Sequence, residues 1–387
     1  MRIGLLNHAF GRPNLGVDAL SRSNIAILRS AARSAGVEPQ FVLFGKPGGD
    51  APSDDDVSQG EFLRLRQLAT GKAGPFRRAI AACDLVVDIC AGDGFADIYG
   101  PSLFLIHNIG KWAAIGAGRP LVFAPQTIGP FEKRWSRAIA RRIFNRATLT
   151  FARDGLSTGK LREMKITSPF EEVIDVAFRL PFETPAPRDE GAPVRVGINV
   201  SGLLYRHGER FKLTVDYPAL TRRMIDAVSA MPGHEVWLVP HVIHDDDCDE
   251  DDFAVTEEIA AAHPGVKVAP RFRNSEEAKS FIAGLDFFSG GRMHASIGAI
   301  SSGVPVAPIA YSRKFNGLFG TLEYDHLIDG RVLDTDQALA EFLRLLAMRD
   351  ELAPQCQAAL GIARGRLARY EEAMSALMAD VVARRTS

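Results

Sequence analysis

One stretch, residues 286–310, constrains the fold more than any other. An apolar run after Asp286 is broken by Gly290 and Gly291, and a segment of small and apolar residues then continues until Gly303 precedes a second apolar run. Short apolar runs bounded by glycines are typical of buried strands, and the segment between them suits one helix. The pattern therefore predicts strand, glycine turn, helix and parallel strand, the repeating unit of a doubly wound α/β sheet.

Strand and helix patterns alternate in the same way in both halves of the chain, on either side of a Pro-rich, charged stretch at residues 182–193. The length of 387 residues exceeds the usual size of one α/β domain, and 46% hydrophobic residues are enough for two cores. We therefore predict an α/β protein of two doubly wound, Rossmann-like domains, residues 1–183 and 190–387, that face each other across a cleft.

Four cationic or titratable side chains follow the strands of the organising stretch. Arg292 and His294 stand at the helix start after Gly291, and Arg313 and Lys314 follow the next strand. Open α/β sheets bind ligands at the carboxyl ends of their strands, and a helix start offers free N–H groups to an anion. Arg can hold a carboxylate or phosphate, and His can exchange a proton near neutral pH. The sequence therefore predicts an anion site with a proton donor. The alternative is that Arg292 pairs with an acidic neighbour and that His294 packs in the wall of a cleft.

Composition excludes several other classes of protein. The 46 Lys and Arg residues nearly balance the 47 Asp and Glu residues, which argues against a dedicated nucleic-acid binder. The four cysteines contain no Cys-x-x-Cys pair, so neither a disulfide framework nor a structural zinc site is expected. No apolar run is long enough for a signal peptide or a membrane span. We expect a soluble cytoplasmic protein.

The motifs of the organising stretch are recognisable. Gly-Arg-Met-His at 291–294, Ser-Gly-Val-Pro-Val at 302–306 and Tyr-Ser-Arg-Lys at 311–314 resemble the C-terminal signature of the polysaccharide pyruvyl transferase family. Further landmarks are similar: the loop Asn14-Leu-Gly-Val-Asp18, an Asp-x-Tyr-Gly pattern at 97–100, Gln-x-Ile-Gly-Pro at 126–130, Arg-Asp at 153–154 and Pro-His at 240–241. The resemblance extends from Asn14 to Tyr324. It also implies a glycosyltransferase-B-like arrangement of the two domains.

The resemblance implies transfer of the enolpyruvyl unit of phosphoenolpyruvate onto two hydroxyls of one sugar. On this interpretation Arg292, with Lys314 and Arg313, holds the donor, and His294 protonates its methylene carbon. Phosphoenolpyruvate is a co-substrate, and no further cofactor and no metal is expected. A carboxylate such as Asp18, Asp93 or Asp97 is expected to act as base for the acceptor.

Several loop residues are further candidates for binding substrate. Asn14 and Gly16 lie in the loop before the first helix, where a glycine allows close backbone approach, although a plain turn with Asp18 as helix cap is the alternative. In the N-terminal half, Asp93 and Asp97 could contact a sugar, or could cap helices, and Gln126 and Thr127 could contact the acceptor or bond to strand ends. In the C-terminal half, His241 follows a strand, and by resemblance it is a binding residue. His241 and His244 precede an acidic run from Asp245 to Asp252 that suits a solvated loop and an acidic helix N-terminus better than a metal site.

Two other functions share these features, namely a nucleotide-sugar glycosyltransferase of the same fold and a non-catalytic saccharide-binding protein. The acceptor implied by the resemblance is a sugar of a cell-surface polysaccharide, commonly built on a lipid carrier at the inner membrane face. A basic amphipathic helix near residues 133–146 carries Arg134, Arg137, Arg141, Arg142 and Arg146. It could touch anionic headgroups peripherally, or it could be ordinary solvated surface with Trp135, Ile139 and Ile143 buried.

Overall fold

The computed structural model describes residues 1–45, 55–63, 67, 73–246 and 248–386, without the side chains of residues 313, 314 and 386. The chain folds into two compact units. Unit 1 comprises Met1–Gly11, Leu20–Arg179 and Gly365–Ser387, and unit 2 comprises Arg12–Ala19 and Leu180–Arg364.

The described part of unit 1 is built on a seven-stranded parallel sheet with the order β3-β2-β1-β4-β5-β6-β7. The strands are β1 Arg2–Leu6, β2 Gln40–Phe44, β3 Val57–Gln59, β4 Leu85–Asp88, β5 Leu121–Gln126, β6 Leu149–Ala152 and β7 Phe170–Glu172. The helices are Leu15–Ser34, which begins in unit 2, and Gly74–Ala81, Pro101–Gly116, Arg134–Phe144, Gly155–Glu163 and the end of Arg349–Thr386. Short 3₁₀ turns cover Cys90–Gly92 and Val176–Arg179.

The described part of unit 2 repeats this plan with a six-stranded parallel sheet of order β10-β9-β8-β11-β12-β13. The strands are β8 Val194–Asn199, β9 His234–Leu238, β10 Lys267–Val268, β11 Phe287–Gly290, β12 Val306–Ala310 and β13 Ile328–Asp329. The helices are Gly202–His207, Tyr217–Ser229, Asp252–Ala262, Ser275–Ala283, Met293–Ser302, Arg313–Thr321, Thr335–Ala347 and the start of Arg349–Thr386, and a 3₁₀ turn covers Gly208–Phe211.

The apolar runs of the sequence form the central strands. Every residue of β4, β5, β11 and β12 is buried, as expected for parallel strands that have helices on both faces. In both sheets the chain reverses its direction of winding between two adjacent central strands, β1 and β4 in unit 1 and β8 and β11 in unit 2. The prediction of two doubly wound Rossmann-like units is confirmed, including the strand, turn, helix and strand of residues 286–310.

The composition of the units differs from the expected bounds 1–183 and 190–387 at both ends of the chain. Arg12–Ala19 belongs to unit 2, where the amide of Leu15 donates to the carbonyl of His241 and the amide of Ile243 donates to that of Pro13. The C-terminal residues from Gly365 belong to unit 1. There Tyr370 is buried and its hydroxyl donates to Asn24. Neither packing partner is near in sequence, so local patterns could not assign these segments.

Candidate active site

The strand ends of unit 2 meet where β8 and β11 are paired. Asn199, the last residue of β8, lies opposite Gly290, the last residue of β11. A Cβ on Gly290 would lie 2.4 Å from that of Asn199, so glycine is needed for this close approach. The amide of Arg292 donates to Oδ1 of Asn199 over 2.9 Å, which fixes the start of the helix Met293–Ser302. Gly291 is buried, and a side chain there would meet Leu204 at 2.8 Å.

Asp252 makes contacts with several segments of this region. It is the first residue of the helix Asp252–Ala262 and is fully buried. Its carboxylate accepts bonds from three backbone amides: Gly202 at 2.8 Å, His241 at 3.1 Å and Val242 at 3.0 Å. It also pairs with the Arg292 guanidinium, at 2.7 Å to Nη2 and 3.1 Å to Nε. One carboxylate thus ties together the segments after β8, β9 and β11. Asp252 lies at a helix N-terminus, as the sequence predicted for the end of the acidic run, but it is buried and not solvated.

Arg292 is consequently a fixed cation. Its side chain is 12% exposed, and Nη2 also donates to the carbonyl of Glu250 over 3.0 Å. Burial alone would lower the pKa of Arg292, but the adjacent Asp252 carboxylate outweighs it and the pKa is raised. Pairing with an acidic neighbour, the alternative considered from the sequence, is therefore what the structure shows for Nε and Nη2. No described residue accepts from Nη1 in any hydrogen bond found here.

The start of the helix Leu15–Ser34 lies against His294, so Gly16 is in a helix and not in the expected loop. A Cβ on Gly16 would fall 2.4 Å from Nδ1 and 2.8 Å from Cγ of His294, so the imidazole is packed on the glycine backbone. The helix start is held in place because Oδ1 of Asn14 accepts the Gly16 amide over 3.0 Å, and Asn14 forms a β-bridge with Val242. The structure thus brings together three of the predicted site residues, Asn14, Gly16 and His294. The group that approaches the Gly16 backbone closely is the His294 side chain.

His241 joins the same group. It is 4% exposed, and its carbonyl accepts the amide of Leu15 over 3.1 Å. Burial, followed by the neighbouring His294, lowers the pKa of His241 to about 4. The imidazole of His241 is therefore neutral at pH 7. His244 lies apart from it as a surface side chain, 3.4 Å from Asp246.

Asp18 is bonded to Ser275. It is fully buried, and its Oδ2 accepts the amide of Ser275 over 3.0 Å and the Ser275 hydroxyl over 2.7 Å. These bonds attach the start of the helix Leu15–Ser34 to the start of the helix Ser275–Ala283. The contacts support a role in holding the helix start that carries Gly16.

The two helix starts at this edge of the sheet differ from several other helix starts of unit 2. Asp216, Asp251 and Asn274 cap their helices through side-chain bonds to backbone amides. The helices Met293–Ser302 and Arg313–Thr321, which follow the adjacent strands β11 and β12, have no side-chain cap. A helix start without a side-chain cap is suited to binding an anion. Arg313 and Lys314 begin the second helix, but their side chains lie outside the described part of the structure.

Unit 1 has its own polar group at the equivalent point, where Leu6 of β1 lies opposite Asp88 of β4. Lys111 and Asp88 are both fully buried, with Nζ 3.3 Å from Oδ1. Asn7 donates to the same Oδ1 over 2.5 Å, and Lys111 also donates to the carbonyl of His107 over 2.7 Å. Asn7 and Cys90 have positive φ angles of 56° and 44°, conformations that non-glycine residues rarely adopt.

Of the predicted acceptor residues of unit 1, Gln126 contacts this group, and Asp93 and Asp97 are bonded elsewhere. Gln126 is buried, and its Nε2 donates to the carbonyl of Asp88 over 3.0 Å, which is the alternative of strand-end bonding. Asp93 accepts from the Tyr99 hydroxyl over 2.9 Å. Asp97 accepts the amides of residues 132 and 133 and the hydroxyl of Ser136, so it caps the helix Arg134–Phe144. Burial opposes these bonds, but together they lower the pKa of Asp97.

Two general features accompany the site. All four cysteines are free thiols. Across the described residues, no group of three His, Cys, Asp or Glu side chains is placed to hold a metal ion, and no helix is long and apolar enough to cross a membrane.

The sequence matches the family model described as polysaccharide pyruvyl transferase over residues 14–313. The chain belongs to this family. The matched range contains the group around Arg292 and His294 and, in unit 1, the ends of β4 and β5. A search of curated proteins by sequence finds no match.

Solved structures with the same fold are distant in sequence. A UDP-GlcNAc 2-epimerase from Neisseria meningitidis, bound to UDP-GlcNAc, is 9% identical with a TM-score of 0.61, covering 99% of this chain and 100% of its own. Anabaena HepE in complex with UDP and glucose is 14% identical with a TM-score of 0.59, covering 99% of both chains. A sucrose-phosphate synthase from Thermosynechococcus elongatus is 12% identical with a TM-score of 0.54, covering 100% of this chain and 99% of its own. This family member therefore has the glycosyltransferase-B-like fold class that the sequence predicted.

The sequence did not reveal three residues that organise the two strand-end groups: Asp252 and Asn199 in unit 2, and Lys111 in unit 1. Only Lys111 had a local signal, as a single charge within the otherwise apolar helix Pro101–Gly116. An amphipathic surface helix would have placed such a charge outward, so a lysine in an apolar helix indicates a buried partner.

Proposed function

We propose that this family member transfers the enolpyruvyl group of phosphoenolpyruvate onto two hydroxyls of one sugar of a cell-surface polysaccharide or its lipid-linked precursor, as a cyclic ketal. The observation that carries the proposal is the arrangement after β11. There a buried cation, Arg292, an uncapped helix start and the imidazole of His294 occupy one strand end at the point where the sheet reverses its winding.

This arrangement supports binding of an anionic donor. Phosphoenolpyruvate carries a carboxylate and a phosphate, and the backbone amides at the helix start after Arg292 can donate hydrogen bonds to one of them. The Arg292 guanidinium needs no reorganisation when the ligand arrives, because Asp252 already holds it in place. Arg313 and Lys314 are proposed to bind the second anionic group, since their helix start follows the adjacent strand.

The reaction needs one proton donor at the methylene carbon of the donor. We assign this role to His294, whose imidazole is fixed against Gly16. Protonation leaves a cationic centre at C2, which one acceptor hydroxyl attacks to form the first C–O bond. The second hydroxyl then forms the other C–O bond as the bond from C2 to the phosphate oxygen breaks. One hydroxyl proton restores His294 and the other leaves with phosphate, so the products are the ketal and inorganic phosphate.

The acceptor is proposed to bind at the strand ends of unit 1, where Asp93 follows β4. Because Asp18 is bonded to Ser275, we place its contribution in holding the helix start with Gly16 against His294. His241, neutral through burial, can contact the substrate without adding charge.

Two full-length variants separate donor binding from catalysis. Arg292→Lys keeps a charge beside Asp252 but loses the planar fork, so calorimetry should show phosphoenolpyruvate binding weakened about tenfold or more. His294→Gln should bind the donor with unchanged affinity, while phosphate release with a panel of saccharide acceptors falls by about 10²–10⁴. His326→Asn, at an exposed histidine bonded to Gln355, is the matched control and should retain both properties. Full phosphate release by His294→Gln would show that His294 is not the proton donor. Binding of nucleotide-sugars in place of phosphoenolpyruvate would favour a glycosyltransferase.

A further inference from the structure

Unit 1 carries an uncommon concentration of exposed apolar side chains. Eight large apolar side chains are exposed among the described residues, and five of them lie within residues 98–135: Ile98 at 52%, Tyr99 at 48%, Leu103 at 39%, Leu105 at 49% and Trp135 at 39%. Scattered exposed apolar residues need no explanation, but a group of them marks an interaction surface.

The segments that carry these side chains adjoin one another. The Trp135 ring packs edge-on against Phe104 at 5.5 Å, and Phe104 lies between Leu103 and Leu105 in the helix Pro101–Gly116. The carboxylate of Asp97 accepts the amides of residues 132 and 133, so the segment with Ile98 and Tyr99 is attached at the start of the helix Arg134–Phe144. The exposed apolar side chains are therefore carried by three adjoining segments of unit 1.

Exposed arginines border this surface. Arg134, Arg137, Arg141, Arg142 and Arg146 are all exposed, and the helix Arg134–Phe144 contains no acidic residue. One of them, Arg137, pairs with Glu163. The others include Arg141, Arg142 and Arg146, which line a groove of about 630 Å³ together with Trp112, Ala138, Ile139 and Asn145. Since the whole chain has a net charge of −1, this positive charge is local.

We propose that this basic apolar surface, Ile98, Tyr99, Leu103, Leu105 and Trp135 with the five arginines, docks onto an anionic lipid bilayer. The combination of exposed leucine and aromatic side chains with adjacent arginines matches the requirements of an interfacial membrane contact, in which apolar groups enter the headgroup boundary and cations meet lipid phosphates. A large, exclusively apolar surface would favour a protein partner, whereas five arginines require a partner dense in negative charge. The inference is independent of the reaction that the protein catalyses.

The packing of the helix agrees with this role. Ile143 is fully buried and Ile139 is partly buried, so the isoleucines hold the helix on unit 1. Trp135 is more than one-third exposed, and the guanidinium of Arg146 lies 6.0 Å from the Trp112 ring. The helix can therefore bring its arginines and Trp135 to a bilayer without leaving the fold.

Vesicle flotation with the full-length protein tests the proposal. The wild-type chain should float with phosphatidylcholine vesicles containing phosphatidylglycerol, much less with phosphatidylcholine alone, and less as salt is added. Each arginine at such a surface is worth about fivefold in partitioning, so replacing Arg134, Arg141 and Arg142 with Gln should weaken binding by on the order of 100-fold. The matched control replaces Arg210, Arg223 and Arg331 of unit 2 with Gln and should bind like the wild type.

A second measurement reports on the apolar contact. With Trp112 and Trp237 changed to Phe, the fluorescence of Trp135 should shift to the blue on vesicle binding and be quenched by brominated lipid. Leu103→Asp with Leu105→Asp should abolish flotation without changing the circular dichroism of the protein. Equal binding to neutral vesicles, absence of binding at low salt, or equal loss in the control triple variant would overturn the proposal. So would a dimer that dissociates in the Leu103→Asp, Leu105→Asp variant, because the surface would then join two copies of the chain.

Discussion

Removing the charge of Asp252 should reveal how much the candidate site depends on one buried carboxylate. In Asp252→Asn the fully buried partner of Arg292 becomes neutral, while the Arg292 side chain remains only 12% exposed. The amide also presents one acceptor oxygen where the carboxylate presents two, so part of the bonding to the His241 and Val242 amides is lost. Breaking a buried ion pair at one partner costs about 3–5 kcal/mol.

This cost should appear in the unfolding of unit 2. For a unit of this size, 3–5 kcal/mol corresponds to a fall of about 6–20 °C in melting temperature. Unfolding in urea can be followed through Trp237, which lies in unit 2, after Trp112 and Trp135 of unit 1 are changed to Phe. Glu258→Gln is the control, because the pair of Glu258 and Arg206 is 56% and 39% exposed and should change stability by less than about 1 kcal/mol.

A double-mutant cycle isolates the pair itself. Arg292→Met combined with Asp252→Asn should cost about 2 kcal/mol less than the sum of the two single changes, because no unpaired charge remains. Strict additivity, or a loss in Asp252→Asn no larger than in Glu258→Gln, would refute the reasoning that this carboxylate holds Arg292 in place.

Two further predictions follow from single residues. Gly16→Ala should lower phosphate release about 100-fold, because a Cβ 2.4 Å from Nδ1 of His294 displaces the imidazole. The control Gly361→Ala, at a helix position with open space, should not affect phosphate release. Normal turnover in Gly16→Ala would show that this helix start does not position His294. Burial, and to a smaller extent Arg364, lowers the pKa of Lys279 from 10.5 to about 7, so the unfolded chain binds the proton more tightly than the folded one. The free energy of unfolding should therefore rise between pH 7 and 9, by up to ~1.4 kcal/mol per pH unit relative to Lys279→Met. Parallel pH profiles of the two proteins would contradict this.

The sequence predicted the fold where local patterns suffice. The apolar runs of β4, β5, β11 and β12 and their glycine turns were enough to indicate two parallel sheets, because parallel strands are buried on both faces and read as continuous apolar segments. Gly16 was expected in a loop before the first helix, but the helix begins at Leu15, since bonds between residues 13–15 and residues 241–243 fix the chain before the apolar periodicity starts.

The candidate site was predicted in its residue types but not in its contacts. His294, Gly16 and Asn14 are together, as a site requires, yet the acidic partner that fixes Arg292 lies 40 residues before it, in a run that reads as solvent-exposed. Asp18 and Asp97 were considered for chemistry and are bonded to helix starts. Each outcome depends on tertiary packing, which sequence spacing does not contain.

The most direct test of the proposed reaction measures donor use by the full-length protein. Phosphoenolpyruvate and a panel of UDP-sugars would each be incubated with saccharide acceptors, and products followed by phosphate release and mass spectrometry. The account predicts phosphate release from phosphoenolpyruvate, an acceptor that gains ketal-linked pyruvate, and loss of both in His294→Gln. Consumption of a UDP-sugar with release of nucleotide, and no reaction of phosphoenolpyruvate with any acceptor, would contradict it.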